Sequence, residues 1–490
     1  MREMDTMSKS AIQPPALRRT SNMRVSEEFL AKYNRPGPRY TSYPTAPVWQ
    51  DDFGPENLKA AYRRANEAAT PVSLYMHIPF CESLCLFCAC NVSIQHDKIV
   101  ALPYLDALRR EIDTVSQSVS QSRPIVQFHW GGGTPTYLSP SQLEDLFEWT
   151  RARFTFSPDA EIGVEVDPRV TSRQHLETLR RLGFNRLSLG IQDFNPQVQE
   201  TIHRVQPYEL TRGLMTAARE LGFQSLNVDL IYGLPYQTAA GFVQTVEKVL
   251  TLSPDRVAMF SYAHVPWLKK QQGSFAAFLP EAVDKFRIFS AGLEGFLDAG
   301  FLYIGMDHFA RPSDELAVAQ RNGSLHRNFM GYTTKAGADL YGLGVSAISS
   351  IGMVYAQNPR EVSAYQDAIA SAGMATRRGF SLSADDRLRR AVISELLCHA
   401  AIPKRKIEKQ FASAPGLGRD SASGFTFDDY FAPEIAALAP LHDDGLLNVT
   451  TDEIRATPLG HIFIRNIAML FDRYLREQQM DQRPLFSRTL

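Results

Sequence analysis

Four of the chain's five cysteines, Cys81, Cys85, Cys88 and Cys90, fall within ten positions. Their stretch runs from Tyr75 to Asn91 and reads YMHIPFCESLCLFCACN. Five cysteines in 490 residues are too few for a disulfide framework. A cluster this tight points instead to metal binding or redox chemistry in a reducing compartment. Structural zinc wants four ligands, usually as two separated pairs, and the only other cysteine is Cys398. Cys398 sits in an apolar run and reads as a buried core thiol. A standard four-thiolate iron–sulfur cluster wants a distant fourth cysteine. The first three thiols, spaced C-x3-C-x2-C after a short apolar run, fit a cubane cluster with one iron left open. Zinc or chance spacing is the alternative, and Cys90 stands as a possible fourth thiol.

An open iron suits a ligand that must be reduced by direct contact. The amino and carboxylate groups of S-adenosylmethionine (SAM) can chelate such an iron. One electron passed to its sulfonium gives methionine and a 5′-deoxyadenosyl radical. The cofactor then carries the hard chemistry, while the protein supplies position and keeps water out. C-x3-C-x2-C is the radical SAM signature, and the aromatic Phe87 just before the third cysteine agrees with it.

Strand alternation sorts the other polar residues by face. Tyr75 and His77 share one face of their strand, and Glu165 shares a face with Gly163 and Asp167. Gly131, Gly132 and Gly133 end a strand and lead into Thr134-Pro135. Such a run lets backbone approach a ligand closely, although a plain strand-to-helix turn would also use it. Glu165 would accept from an ammonium or a ribose hydroxyl, or else pair structurally with an arginine. Gln192 and Asp229 repeat the arrangement at the ends of the next two strands. Arg204 is a surface residue unless a carboxylated ligand lies close, when it becomes a clamp.

The elements that must position these residues are short β-rich runs at 73–79, 125–130, 161–167, 186–192, 225–232 and 256–263. Helical patterns lie between them at 102–117, 141–153, 172–183, 207–222 and 239–252. Strand–helix alternation implies parallel βα units. Six units suit a partial barrel with its active site at the carboxyl ends of the strands. A helix at 281–299 and a strand at 301–305 would extend one edge. The expected fold is therefore α/β: a partial (βα)6 barrel over 55–375, an N-terminal arm or lid over 1–54, and a mainly helical, winged-helix-like C-terminal domain over 376–490. Residues 1 to about 35 read as a loosely attached polar arm. In the C-terminal part, helices are expected at 385–400, 403–411, 428–439 and 459–478, with a small hairpin before the last.

Net charge is −1, with 44% hydrophobic and 21% charged residues, so no global field advertises nucleic acid or a membrane surface. No apolar run approaches the roughly 18 residues that span a bilayer. No signal peptide is evident, and the expected location is the cytoplasm. No heptad or apolar stripe suggests assembly, so a monomer is expected.

With these residues in view, YMHIPFCESLCLFCACN, HWGGGTPTYL, EVDP, LGIQDFN, VDLIYGLP, YAHVP and GMDHFARP resemble the oxygen-independent coproporphyrinogen III oxidase family within the radical SAM superfamily. YTSYPTA, LHRNFMGYTT, GVSAIS and IRNIAMLFD match as well, so the resemblance runs from about Arg39 to about Arg476. It implies one [4Fe–4S] cluster on Cys81, Cys85 and Cys88, with Cys90 not a ligand. It implies two SAM molecules, contacted by Tyr75, Phe87, Gly132, Gly133, Thr134, Glu165, Gln192, Arg204, Asp229, Ala263 and Ile348. The implied reaction is oxidative decarboxylation of two propionates of coproporphyrinogen III to vinyls, giving protoporphyrinogen IX in haem synthesis. An electron donor and an electron acceptor are required.

The substrate carries four carboxylates, so cations and tyrosine hydroxyls are candidates to meet it: Arg35, Arg39, Tyr40, Tyr43, His308 and Arg311. Two other functions compete. A haem chaperone of the same superfamily would carry an aromatic residue where Cys90 stands and a His-Asn-x-x-Tyr-Trp motif, which is absent. A DNA-binding regulator would need a basic recognition helix, for which 403–411 is the one weak candidate.

Overall fold

The computed structural model describes residues 25–414, 416–417, 425–478 and 486–489. Its centre is a twelve-stranded sheet. In chain order the strands are β1 (Val72–Ile78), β2 (Ile125–Gly132), β3 (Phe156–Val166), β4 (Arg186–Gln192), β5 (Ser225–Tyr232), β6 (Arg256–Ser261), β7 (Leu302–Gly305), β8 (His308–Ala310), β9 (Asp339–Leu343), β10 (Ile348–Ile351), β11 (Val354–Gln357) and β12 (Arg378–Ser381). In space they run β12-β11-β10-β9-β1-β2-β3-β4-β5-β6-β8-β7. β9 and β1 to β6 are parallel, while β10–β12 and β8–β7 add antiparallel edges. The sheet has two free ends, so the barrel is open, as the six predicted βα units require.

Helices α1 (Ala101–Ser118), α2 (Pro140–Arg151), α3 (Arg173–Leu182), α4 (Tyr208–Glu220) and α5 (Ala239–Thr251) connect β1 through β6, and α6 (Ala282–Asp298) leads to β7. Local signals set their ends. Ser139 with Gln142 and Ser172 with His175 form reciprocal N-terminal caps, satisfying backbone donors that would otherwise lack partners. Leu74, Met76 and Ile78 are fully buried on the helix-facing side of β1, which leaves Tyr75 and His77 for the barrel interior. Tyr104 of α1 donates to the His77 carbonyl at 2.6 Å. On the same helix the buried Glu111 accepts from Tyr365, Asn358 and the Gly344 backbone. These bonds tie α1 to the end of β1 and to the loop after β9, beside the cysteines.

Several elements differ from expectation. β7 lies at the edge as predicted, but through β8, which separates it from β6. β8 to β12 carry no clear period in the sequence. β9 completes the far side of β1, and its Gly342 is required there: a Cβ would lie 2.3 Å from the Ile348 carbonyl oxygen. The helices expected at 428–439 and 459–478 are each broken into short turns. Pro433 and Pro440 open new turns at Ala432–Ala437 and Ala439–Asp443. Asp472 adopts an extended backbone, and its carboxylate receives the Tyr40 hydroxyl. The predicted hairpin, Leu447–Val449 with Glu453–Ala456, gains a third strand from Ala401–Pro403.

The arm expected over 1–35 falls partly outside the described residues. From residue 25 on it is built into the core. Ser26 caps the helix Glu27–Tyr33, and Leu30, Tyr33, Tyr40 and Tyr43 are buried. The C-terminal helices and the barrel share one continuous apolar core. Among the described residues no helix is long and apolar enough to cross a membrane.

Candidate active site

The cysteine loop leaves β1 through Phe80–Cys81, which pairs with Ser93–Ile94 and closes the loop at its base. Within it Cys88 N donates to the Cys85 carbonyl in a tight turn. The loop forms one wall of a cleft of ≈ 360 Å³ at the carboxyl ends of β1 to β6. Cys81, Cys85, Cys88 and Cys90 all face it, and all are free thiols. Cys81 Sγ lies 3.4 Å from the Thr134 hydroxyl, and burial pushes its thiol up to about 11. Cys85 Sγ accepts from Arg169 at 3.3 Å and from Arg204 at 3.6 Å. A hydrogen bond from Cys90 holds Cys88 below the usual thiol range.

The opposite wall comes from β2 to β5. Gly133 N donates to the Ile78 carbonyl and Thr134 N to that of Phe80, so the glycine run continues the pairing with β1. The glycines are demanded by the protein itself. A Cβ on Gly132, whose φ is +123°, would sit 2.8 Å from the His77 ring, and one on Gly133 would sit 2.5 Å from the Pro79 carbonyl oxygen. Their role is close packing of the chain on itself, where the sequence suggested only room for a ligand. Glu165 accepts from Gly132 N at 3.1 Å, with His129 Nε2 at 3.6 Å. Burial works to raise the Glu165 carboxyl, but His129 and the Gly132 N–H outweigh it and hold it below the usual carboxylate range. Gln192 adopts a left-handed φ of +69°, and its buried Oε1 has no partner. Arg204 is buried and anchored to Asp167 at 3.0 Å and to the Gly190 carbonyl at 2.7 Å.

Asp229 accepts from Asn227 at 2.7 Å and from Ser188 at 3.2 Å. Burial and the nearby Glu165 charge push it up to about 7. An unfolded Asp titrates near ~3.9, so between the two values the folded protein holds the extra proton. The associated stability is complete below about pH 4 and is lost as pH rises through about 7. Replacing Asp229 by Asn is expected to flatten the fall in urea-unfolding stability of the ligand-free protein between about pH 4 and about pH 7. An unchanged slope would mean that other groups set it.

Three further features escaped the sequence reading. Asp167 and Arg169 line the cleft, Arg169 pairs with Asp167 and donates to Cys85, and EVDPR is the only local signal for them. His129 lies under Tyr75, whose ring stacks on it with centroids 6.2 Å apart. A strap at 269–272 holds the cysteine loop by its carbonyls: Lys269 donates to Cys90, Gln271 to Cys88 and Gln272 to Phe87. Gln272 is fully buried and also accepts from Val265 N at 2.7 Å. Gln272→Leu leaves a buried carbonyl and a buried N–H unpartnered. It is expected to cost about 2–4 kcal/mol in denaturant unfolding and to loosen iron retention. Wild-type stability in that variant would remove the strap's role.

Of the predicted contact residues, Phe87, Gly132, Gly133, Thr134, Glu165, Gln192, Arg204 and Asp229 line the cleft. Tyr75 stands behind it, bonded to His77 at 3.1 Å. Ala263, just past β6, and Ile348, at the start of β10 against Trp49 and Tyr355, lie outside its lining. A second cavity of ≈ 190 Å³ continues into the barrel and shares Glu165, Ser188, Asp229 and Phe260 with the first.

The six residues expected to meet carboxylates scatter. His308 lines the lower cavity, but burial pushes it down to about 3, so it is a neutral ring there. β8 runs antiparallel to β6 and carries Arg311 to the amino end, away from the cleft, where Nε donates to the Pro254 carbonyl. Tyr40 and Tyr43 also lie away from the cleft. Both are buried against the C-terminal helices, with Tyr40 donating to Asp472 and Tyr43 accepting from Arg473 N. Arg35 donates to Asn466. Arg39 alone lies against the cleft wall, over the Phe260 ring.

The donor set fits the group that the cysteine spacing implies. Cys81, Cys85 and Cys88 all face the one cleft on their short loop. The orphaned Gln192 carbonyl and the carboxylates of Glu165 and Asp229 face the same cleft, as a cationic, hydroxyl-bearing ligand would need.

Comparison with known proteins agrees. The family model of the radical SAM superfamily matches residues 75–249. The oxygen-independent coproporphyrinogen III oxidase of Synechocystis sp. is 45% identical over 95% of this chain and 98% of its own length. That of Escherichia coli is 46% identical over 94% of this chain and 98% of its own length. The solved structure of coproporphyrinogen III oxidase from Escherichia coli, described as a radical SAM enzyme, matches with a TM-score of 0.84 at 46% identity, covering 89% of this chain and 98% of that one. The cleft, the open parallel barrel and the near full-length identity together make the chain a member of the oxygen-independent coproporphyrinogen III oxidase family of radical SAM proteins.

Proposed function

We propose that this protein converts coproporphyrinogen III to protoporphyrinogen IX without oxygen, by oxidative decarboxylation of two propionates to vinyl groups in haem synthesis. The observation that carries the reading is the meeting of three free thiols, two carboxylates and an orphaned amide carbonyl in one cleft at the carboxyl ends of parallel strands.

In this reading Cys81, Cys85 and Cys88 hold one [4Fe–4S] cluster. Tyr75, Phe87, Gly132, Gly133, Thr134, Glu165, Gln192, Arg204, Asp229, Ala263 and Ile348 serve two SAM molecules. When bound, cluster and SAM supply a carbon radical able to take a hydrogen atom from the β-carbon of a propionate. The chain's own groups prepare for that. Arg169 and Arg204 aim N–H groups at the Cys85 sulfur and fix its position in the cleft. Glu165 and Asp229 offer negative charge to an ammonium or acceptors to ribose hydroxyls, and an arriving cation returns Asp229 to its ionised form. Gln192 accepts one further hydrogen bond. Leu86 and Phe87 pack on Val198, Ile202, Leu234 and Phe275, which keeps water from that side of the loop.

Each propionate loses CO2, a hydrogen atom and one electron, so the reaction draws on an electron donor and an electron acceptor outside this chain. The protein is proposed to act as a cytoplasmic monomer, with neither nucleic acid nor membrane as partner. In the segment once considered for DNA, Lys404, Arg405 and Lys406 are already paired with Asp428, Asp452 and Glu395.

Anaerobic reconstitution with iron and sulfide, then addition of SAM, a reductant and coproporphyrinogen III, is expected to yield protoporphyrinogen, read as protoporphyrin after oxidation. SAM cleavage without a vinyl product would point to another substrate. Tight stoichiometric haem binding without product would point to a haem-transfer protein.

A further inference from the structure

A group of cations is gathered where the N-terminal segment, the ends of β5 and β6, α6 and the C-terminal residues meet. Arg39 pairs with Asp307, which is itself buried. Arg465, fully packed in, donates to the backbone carbonyls of Pro38, Gly37 and Thr489. Arg488 donates to the Asn34 carbonyl at 2.7 Å. Lys285 donates to the Tyr262 carbonyl at 3.0 Å. Backbone carbonyls orient a guanidinium without cancelling its charge. Burial, with Arg465, Arg39 and Arg488 nearby, pulls Lys285 down to about 7, and burial and Arg39 pull Arg465 down to about 10.

A small cavity of ≈ 20 Å³ lies within the group, lined by Arg465, Asp307 and the hydroxyl-bearing Tyr232, Ser261 and Thr489. It exceeds the roughly 10–15 Å³ that one water occupies, so one small polar group has room. Arg39 links this cluster to the cleft. Its side chain is 30% exposed where Asp307 is 7% exposed. Its guanidinium lies 5.4 Å from the ring centre of Phe260, which walls both the main cleft and the lower cavity. A guanidinium carries five N–H donors, so pairing with Asp307 leaves donors for a second carboxylate.

We propose that Arg39, oriented by Asp307 and backed by Arg465, anchors one propionate of the tetrapyrrole substrate. This rests on the function proposed above and assigns a binding site for one of its carboxylates. The anchor positions the macrocycle edge at the Phe260 wall and selects for a carboxylated side chain there.

The test is equilibrium binding of coproporphyrin III, the fluorescent oxidised form with four propionates, and of its tetramethyl ester, to the reconstituted holoenzyme. Arg39→Gln is expected to weaken tetra-acid binding roughly tenfold to a hundredfold. Ester binding and substrate-free SAM cleavage stay at wild-type levels, and Arg39→Lys recovers part of the loss. Unchanged tetra-acid affinity in Arg39→Gln overturns the proposal. An equal loss for acid and ester overturns it too, because that marks a structural role only. Failure of the wild-type protein to decarboxylate would sink the proposed function while leaving this binding comparison readable.

Discussion

Replacing any one of Cys81, Cys85 or Cys88 by serine is expected to strip iron from the reconstituted protein and to lower turnover at least about a thousandfold, or about 4 kcal/mol in barrier. The three thiols reach the cleft on separate supports. Cys81 ends the short strand that closes the loop, Cys85 lies between two guanidinium groups, and Cys88 follows a tight turn. Loss of one leaves the others in place but removes a third of the ligand set, and a serine hydroxyl does not ionise where a thiol does. Cys90→Ala is the contrasting case. It removes the hydrogen bond to Cys88 without removing a proposed ligand, so iron content is expected to stay. Iron and sulfide analysis with the visible absorption of the cluster reads both outcomes. A Cys81→Ser protein with full iron and full turnover would remove the cluster from the account.

Glu165→Gln carries the second large effect. The amide oxygen still accepts from Gly132 N, so the glycine run and the strand ends should stay in place. What is lost is the charge that faces the cleft beside His129. SAM binding, measured by calorimetry on the reconstituted protein, is expected to weaken roughly tenfold to a hundredfold, the loss of one charge-assisted hydrogen bond. The same change removes the repulsion that helps to raise Asp229, so Asp229 should titrate lower in this variant. Unchanged SAM affinity would show that Glu165 holds only the protein's own backbone.

The six βα units were legible because each helix repeats apolar residues at three- and four-residue spacing and the parallel strands are short β-rich runs that alternate buried with half-buried residues. β9 to β12 were not, because strands of only four and five residues carry no period of their own. Their pairing is decided by β1 and by the close approach of Ile348 to Gly342. The C-terminal helices were overextended because apolar spacing continued across Pro433 and Asp472, where the backbone in fact turns.

At the site, the thiols and the strand-end polar residues could be read from spacing and alternation. The strap could not: Gln272 meets Phe87 across 185 positions, and nothing local marks it. Arg311 and His308 looked equivalent in GMDHFARP. Three residues of antiparallel strand were enough to carry one to the far end of the barrel and leave the other inside. Tyr40 and Tyr43 carry hydroxyls, as substrate-binding tyrosines would, but their partners are Asp472 and Arg473 of the C-terminal region.

The central claim is that one cleft, built on Cys81, Cys85 and Cys88, drives decarboxylation through SAM. Counting CO2 released from carboxyl-labelled coproporphyrinogen III under anaerobic conditions tests it most directly. The account predicts two CO2 for each porphyrinogen consumed, with none when SAM or the reductant is left out and none from the Cys85→Ser protein. Release of CO2 without SAM, or SAM cleavage by the wild-type protein with no CO2, would contradict it.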